Sequence, residues 1–197
     1  MTEVPYDERT ALIVVDVQND FASPDGSLYV RTGEHAVPVI NREIERARAA
    51  GAFVVYTADR HPESTPHFAK DGGIWPVHCV GGTWGFEFHP DLVVVDAPVV
   101  HKGVNGEDGY SGFTTRDPVT GEDVPTELPS LLRDAGVVRV VVTGLATDYC
   151  VRSTVLHALE QGYETILLAD GTRPVDLEPG DGDRALAEVE AAGGVIV

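Results

Sequence analysis

The chain has 197 residues, of which 43% are hydrophobic and 23% are charged, and its formal net charge at pH 7 is −18. This length predicts one domain over residues 1–197, and the negative charge argues against nucleic acid and anionic membrane surfaces as partners. Because the sequence has only two cysteines, no apolar run of membrane-spanning length and no apolar signal segment, we expect a cytoplasmic protein without a disulfide framework.

The hydrophobic pattern predicts short strands that alternate with amphipathic helices. Strands are expected at 11–15, 52–57, 97–101, 137–143, 163–169 and 194–197, and helices at 36–50, 125–135, from Thr147 or Asp148 onward, and at 181–192. This alternation is typical of βαβ units. We therefore expect an α/β fold with three αβα layers around a mostly parallel sheet of about six strands. Residues 60–97 have no long periodic element, and a loop of that length is usually functional.

One strand-turn-helix stretch, residues 137–157, presents a cysteine. Its run of β-branched residues predicts a strand buried on both faces. Cys150 is expected in the first turn of the following helix, where unpaired backbone N–H groups and the helix dipole stabilise a thiolate. Cys150 is therefore a candidate nucleophile. The alternative is a small, inert residue of the core.

Two further reactive residues follow predicted strands. Asp16, Lys102 and Cys150 each lie at or just past a strand end, and in a parallel sheet these ends share one edge. Asp16 is a candidate general base that later returns its proton to a leaving amine, and Lys102 would favour the thiolate. The backbone N–H groups of Ala146 and Cys150 are candidates for an oxyanion hole. Taken singly, Asp16 is equally compatible with a strand-end cap and Lys102 with a solvated loop charge.

The loop after the second predicted strand carries one carboxylate and three imidazoles, those of Asp59, His61, His67 and His78. Nitrogen and oxygen ligands without thiolate suit Zn, Fe or Mn. The loop is therefore a candidate site for one divalent metal ion. The alternative is a group of surface histidines.

Aromatic residues are expected near the same edge of the sheet. Phe21 and Trp75 are candidates to sandwich a flat ring, with Tyr110 close by, although core packing is the commoner fate of aromatic residues. The turn through Leu145 is a candidate for a strained peptide bond beside the site.

Six segments resemble the nicotinamidases (pyrazinamidases) of the isochorismatase-like cysteine hydrolases. They are ALIVVDVQNDF at 11–21, TADRHP at 57–62, WPVHCV at 75–80, HKG at 101–103, GYSGF at 109–113 and GLATDYCVRSTVLHAL at 144–159. The segments follow the family order and span almost the whole chain.

The resemblance implies a catalytic triad, a metal site and a reaction. The triad would be Asp16, Lys102 and Cys150, and the metal-site residues Asp59, His61, His67 and His78. The Leu145–Ala146 bond would be a cis peptide beside the oxyanion hole, and the metal would coordinate the pyridine nitrogen of a ring held by Phe21 and Trp75. The implied reaction converts nicotinamide and water into nicotinate and ammonia through a thioester on Cys150.

Two other functions stay open at this point. One is another cysteine amidohydrolase of the superfamily, of the N-carbamoylsarcosine or ureidoacrylate type, which shares the triad but lacks the Asp-x-His loop. The other is a non-catalytic binding protein of the same fold. Isochorismatases proper are disfavoured because they lack the cysteine found at position 150. We expect a small-molecule amide as the substrate, and a homo-oligomer is compatible with the sequence.

Overall fold

The computed structural model describes residues 4–197 and contains eight strands. They are β1 (Thr10–Val15), β2 (Phe53–Asp59), β3 (Val99–Lys102), β4 (Thr114–Arg116), β5 (Asp123–Pro125), β6 (Arg139–Leu145), β7 (Glu164–Arg173) and β8 (Val195–Ile196). Six of them form one sheet in the order β3-β2-β1-β6-β7-β8, and every neighbouring pair is parallel. β4 and β5 form a separate antiparallel pair.

Within the described part of the chain, five α-helices accompany the sheet: α1 (Asn19–Ala22), α2 (Val37–Ala49), α3 (Leu128–Asp134), α4 (Arg152–Glu160) and α5 (Asp181–Ala191). Short 3-10 turns lie at Gly33–Ala36, Ala69–Asp71 and Trp84–Phe86, and one π-helical turn spans Thr147–Val151. No helix among residues 4–197 is long and apolar enough to cross a membrane.

Two hydrophobic clusters, one on each face of the sheet, give the expected three layers. Leu12 and Val14 of β1 pack in the cluster that includes α2, whereas Ile13 and Val15 pack in the cluster that includes α3, α4 and α5. Successive side chains of a strand point to opposite faces. The apolar runs of the sequence therefore correspond to strands that are buried on both sides, and the predicted α/β fold is confirmed.

The structure differs from the sequence-based expectation in a few elements. The helix expected at 125–135 begins only at Leu128, and the strand expected at 163–169 continues to Arg173. The β4–β5 hairpin was not predicted, because β5 is exposed throughout and so has no hydrophobic alternation to detect. α1 was missed because it is a single turn of four residues.

The pairing of β1 with its neighbours brings distant residues to one edge. Val15, the last residue of β1, is aligned with Thr57 of β2 and with Gly144 of β6, and Asp59 is aligned with Lys102. Gly144 allows this approach, because a Cβ atom there would lie 2.0 Å from the Val15 carbonyl oxygen. The carboxyl ends of four adjacent strands thus converge where open α/β sheets bind their ligands.

Candidate active site

Asp16, Lys102 and Cys150 meet at this edge. The Lys102 Nζ atom lies 2.7 Å from Asp16 Oδ2, 3.6 Å from Cys150 Sγ and 2.8 Å from Asp59 Oδ1. Lys102 is 1% exposed and Asp16 is fully buried. Since a buried charge is tolerated only when it is paired, Lys102 is not a solvated loop charge. It is the shared cation of two carboxylates and a thiol.

Asp16 is held by its backbone and by a neighbouring strand. Its φ of 50° lies in the left-handed region, which non-glycine residues rarely adopt and which recurs at functional sites. The Thr57 hydroxyl of β2 donates a 2.6 Å hydrogen bond to Asp16 Oδ1. Together with the Lys102 contact to Oδ2, this bond fixes both carboxylate oxygens.

The pKa values of the three groups are shifted by burial and by their mutual charges. Burial raises the pKa of Asp16 although Lys102 opposes the change, and burial likewise raises the pKa of Cys150. Burial alone would lower the pKa of Lys102, but Asp16 and Asp59 outweigh it and raise that pKa. A carboxylate whose pKa is raised is better suited to accept a thiol proton.

The cysteine sits in an unusual turn between β6 and α4. The Val151 N–H donates to the Ala146 carbonyl oxygen at 3.0 Å, which closes the π-helical turn that contains Cys150. The expectation that Cys150 lies in the first α-helical turn is therefore corrected, because α4 begins only at Arg152. The peptide bond between Leu145 and Ala146 is cis, as the resemblance implied.

Three of the four proposed metal-site residues form a tight cluster. One candidate ligand atom from each of His61, His67 and His78 lies within 4.8 Å of the others, and all three residues are buried. His78 Nδ1 donates to the Pro76 carbonyl oxygen at 2.7 Å, and His67 Nδ1 lies 2.7 Å from Asp108 Oδ1. In both rings Nε2 is thus the nitrogen left for a ligand.

The histidine cluster fits a metal ion. Both ring nitrogens of His61 are buried without a hydrogen-bond partner, which is costly unless another group satisfies one of them. Burial lowers the pKa of His61 to about 4 and also lowers the pKa of His78. These imidazoles are therefore neutral near pH 7, as metal ligands must be.

Asp59 lies between the histidine cluster and the cysteine. Its Oδ2 atom is 4.0 Å from His61 Nε2, while its Oδ1 atom contacts Lys102. Burial would raise the pKa of Asp59, but Lys102 and His61 outweigh it, and the pKa falls to about 2. Asp59 is thus an ionised carboxylate that faces both groups.

A cavity connects Cys150 with His67 and His78 and contains about 400 Å³ of empty space, counting its opening to solvent. Most of its wall is apolar, as is usual for small-molecule sites. The lining residues expected from the sequence are Phe21, Asp59, His67, Trp75, His78, Tyr110, Leu145, Ala146 and Cys150. The structure brings the predicted ring-binding residues together with the candidate nucleophile.

Four residues of the wall were not expected: Leu28, Val30, Tyr149 and Val175. The Tyr149 ring packs edge-on against Trp75 at 5.0 Å and against Tyr110 at 5.2 Å, and Trp75 Nε1 donates to the Tyr110 hydroxyl at 3.0 Å. Tyr149 immediately precedes Cys150 in the sequence, and this position was the one signal that could have predicted its place in the wall. The three aliphatic residues come from irregular segments, where periodicity gives no indication of burial.

Gln18 is another residue that the sequence did not single out. Its side-chain amide donates to the Asp59 carbonyl oxygen at 2.7 Å and accepts from the Asp59 N–H at 2.8 Å. The β1–β2 pairing ends at Val15 and Thr57, and the Gln18 side chain bonds the backbone of Asp59 beyond that point in place of a further strand residue. Gln18 thereby fixes the backbone that carries Asp59.

Comparison with known proteins agrees with this geometry. A family model described as the Isochorismatase domain matches residues 10–197. A nicotinamidase of Escherichia coli is 38% identical over 203 residues, which cover 94% of this chain and 93% of the relative.

Two solved structures are similar over nearly their whole length. A pyrazinamidase of Pyrococcus horikoshii, solved in complex with zinc, has a TM-score of 0.85 and 42% identity, and the match covers 96% of this chain and 98% of the other. A protein of L. infantum, solved in complex with nicotinate, has a TM-score of 0.87 and 35% identity, with 98% and 95% covered. The chain belongs to the isochorismatase family, among its nicotinamidase and pyrazinamidase members.

Proposed function

We propose that this protein is a nicotinamidase that hydrolyses nicotinamide, and also pyrazinamide, to the ring carboxylate and ammonia. The observation that carries the proposal is the cavity itself. Cys150, which lies beside the buried Asp16–Lys102 pair, lines one part of it, and His67 and His78 of the histidine cluster line another, on a surface that is otherwise mostly apolar. The relatives named as nicotinamidases and pyrazinamidases support the same activity.

In the first half of the reaction, Asp16 accepts the proton of the Cys150 thiol while Lys102 favours the thiolate. The sulfur attacks the carboxamide carbon, and the developing oxyanion is stabilised by the backbone N–H groups of Ala146 and Cys150. Asp16 then returns the proton to the amide nitrogen as the C–N bond breaks. Ammonia leaves, and the acyl group remains on Cys150 as a thioester.

In the second half, a water molecule attacks the thioester carbon. Asp16 accepts a proton from this water, and the same N–H groups stabilise the second oxyanion. The C–S bond breaks, the ring carboxylate is released, and the proton returns to the Cys150 sulfur. Asp16 thus acts as base and then as acid in each half, which its raised pKa supports.

The residues that would hold a divalent metal ion are His61, His67 and His78, with Asp59 beside them. When bound, the metal supplies a Lewis acid for a ring nitrogen of the substrate. Zn, Fe and Mn are all compatible with these donors, and zinc is supported by the complex of the Pyrococcus horikoshii relative. Phe21, Trp75 and Leu145 would hold the ring, with Tyr110 fixing the indole of Trp75.

The wall of the cavity favours a flat aromatic amide over an acyclic one. Phe21, Trp75 and Tyr149 present rings, and Leu145 presents an aliphatic side chain. An acyclic polar amide, such as N-carbamoylsarcosine, would leave most of this apolar surface without a complementary partner. A non-catalytic binding role would give no reason for the buried ion pairs around Cys150.

A small-molecule substrate also agrees with the overall charge. A net charge of −18 disfavours nucleic acid as a partner. Both cysteines are free, which supports a reducing, cytoplasmic location. A homo-oligomer stays a prediction that sedimentation velocity would test.

The deciding experiment measures ammonia release from nicotinamide, pyrazinamide and N-carbamoylsarcosine. We would compare the intact protein loaded with Zn, Fe or Mn, the chelator-stripped protein, Cys150→Ala, and Cys79→Ala as the matched control. We expect release from the two ring amides, its loss in Cys150→Ala and in the stripped protein, and its retention in Cys79→Ala.

Other outcomes would change the assignment. Activity that survives chelation but not Cys150→Ala would keep the cysteine hydrolase and remove the metal from the mechanism. Hydrolysis of N-carbamoylsarcosine alone would assign a different amidohydrolase. No release from any metal-loaded sample would reject the nicotinamidase proposal.

A further inference from the structure

Asp108 contacts one of the clustered histidines from outside the cavity. Its Oδ1 atom lies 2.7 Å from His67 Nδ1 and also accepts the Gly109 N–H at 2.7 Å. The side chain of His67 is 7% exposed and that of Asp108 is 52% exposed. The buried imidazole therefore has a carboxylate contact at Nδ1, which leaves Nε2 as its other ring nitrogen.

The backbone of Asp108 is anchored to the β4–β5 hairpin. Its N–H donates to the Arg116 carbonyl oxygen at 3.0 Å, and the Arg116 N–H donates back to the Asp108 carbonyl oxygen. Arg116 belongs to β4, which pairs with β5. The backbone of Asp108 is thus held at a fixed position, and the Gly109 N–H also orients its carboxylate.

We infer that Asp108 is a positioning residue for metal binding: it holds His67 in the tautomer with the proton on Nδ1 and leaves Nε2 for the metal. This inference rests on the metal site of the proposed function. The second ring N–H of a histidine ligand commonly donates a hydrogen bond to a carboxylate, which fixes the orientation of the ring and raises the basicity of the ligating nitrogen. His78 has the equivalent contact from the Pro76 carbonyl oxygen.

His61 lacks such a contact, because both of its ring nitrogens are without a partner. The three histidines are therefore not equivalent. His67 is oriented by a side chain and His78 by a backbone carbonyl, whereas His61 has no hydrogen bond and only a 4.0 Å approach of Asp59 Oδ2 to its Nε2. The hydrogen bond that orients His67 is accepted by a side chain, so a single substitution of Asp108 removes it and leaves His67 in place. The hydrogen bond of His78 is accepted by a backbone carbonyl and cannot be removed in this way.

The test compares Asp108→Ala and Asp108→Asn with the intact protein. The apparent Kd for Zn²⁺ is measured on stripped protein by competition with a chromophoric chelator, and folding is checked by circular dichroism. Asp134→Asn, a change of the same charge at an exposed residue of α3, is the matched control. His67→Ala reports the contribution of the ligand itself.

We expect Asp108→Ala to weaken Zn²⁺ binding by about 10- to 100-fold. Asp108→Asn should restore part of this loss, because an amide oxygen still accepts the Nδ1 proton. Asp134→Asn should leave the affinity unchanged. Long-range proton–nitrogen NMR spectra of the folded, metal-free protein should show His67 protonated on Nδ1, with the Nε2–H form gaining population in Asp108→Ala.

Two results would overturn the inference. The first is that Asp108→Ala binds Zn²⁺ as tightly as the intact protein does, whereas His67→Ala binds it more weakly. The second is an equal loss in Asp108→Asn and Asp108→Ala with the tautomer of His67 unchanged, which would assign the effect to net charge. If His67→Ala binds Zn²⁺ normally, the metal site of the proposed function fails as well, and the tautomer spectra still report whether Asp108 orients the ring.

Discussion

At the scale of single residues, the site depends on one buried cation shared among acceptors. Lys102 pairs with Asp16 and Asp59 and also lies near Cys150. Removing one member of a buried ionic group leaves its partners with an unpaired charge. A substitution of Lys102 would therefore change the stability of the fold as well as the catalytic activity, and the two effects could not be separated. Thr57 is uncharged and donates a hydrogen bond to Asp16, so its substitution leaves no charge unpaired.

Thr57→Val should lower kcat/KM for nicotinamide by about 10- to 100-fold, since a hydrogen bond to a charged group contributes about 1.5–3 kcal/mol. The substitution keeps the shape of the side chain but removes the 2.6 Å bond to Asp16. Thr165→Val is the matched control, because it removes the bond from a buried β7 hydroxyl to the Tyr163 carbonyl oxygen. Steady-state kinetics with matched thermal melts make the comparison. Equal losses in the two variants would contradict a specific role for Thr57.

Residue types predicted which groups meet at the proposed reactive centre, but they did not predict the residues that hold those groups in place. An acid, an ammonium and a thiol at strand ends are recognisable from the sequence, and the structure brings Asp16, Lys102 and Cys150 together. Gln18 and Asp108 act through hydrogen bonds to residues more than 40 positions away. Such contacts depend on where loops cross in space, which hydrophobic periodicity does not record.

At the scale of elements, the loop after β3 packs directly against the histidine cluster. Gly103 has a φ of 79°, and a Cβ atom there would lie 2.6 Å from two atoms of the His61 ring. His61 has no hydrogen bond to hold it. Its orientation therefore depends on the close approach of this glycine.

Gly103→Ala should weaken Zn²⁺ binding by roughly tenfold or more, because a displaced ligand costs about as much as a lost outer-shell contact. Gly106→Ala is a well-matched control. It lies in the same loop with a φ of 86°, but its added Cβ would meet only Thr65 Oγ1 at 3.8 Å. Both variants carry the strain of an L-residue at positive φ, so only the contact with His61 distinguishes them. Chelator competition gives the affinities, and an equal change in both variants would rule out the steric explanation.

Elements with strong hydrophobic periodicity were predicted within a few residues, and weak ones were not. The predicted strand at 11–15 corresponds to β1, and the predicted helix at 36–50 corresponds to α2. The π-helical turn around Cys150 has no sequence signature of its own, since it differs from an α-helical turn by one hydrogen-bond register. The hairpin of β4 and β5 is short and polar. It nevertheless carries the anchor of Asp108.

At the scale of the whole molecule, the parallel sheet explains why so much of the site was predictable. Once strands alternate with helices, their carboxyl ends must share one edge, so residues 86 positions apart, such as Asp16 and Lys102, are expected to meet. The strand order β3-β2-β1-β6 was not predicted, and it determines which ends are adjacent. That order depends on how helices pack over both faces, which a single sequence does not reveal.

Because the two cysteines differ in their access to solvent, the number of reactive thiols reports how many chains are folded around the cavity. Cys150 lines a cavity that opens to solvent, whereas Cys79 is fully enclosed in the core beside the Gly85 carbonyl oxygen. A small alkylating reagent should therefore consume one thiol equivalent per folded chain and two per unfolded chain, as counted by mass spectrometry. Two equivalents from the folded chain would mean that the loop around Cys79 opens. With one equivalent, the rates of every variant that keeps both cysteines can be expressed per folded chain rather than per milligram of protein.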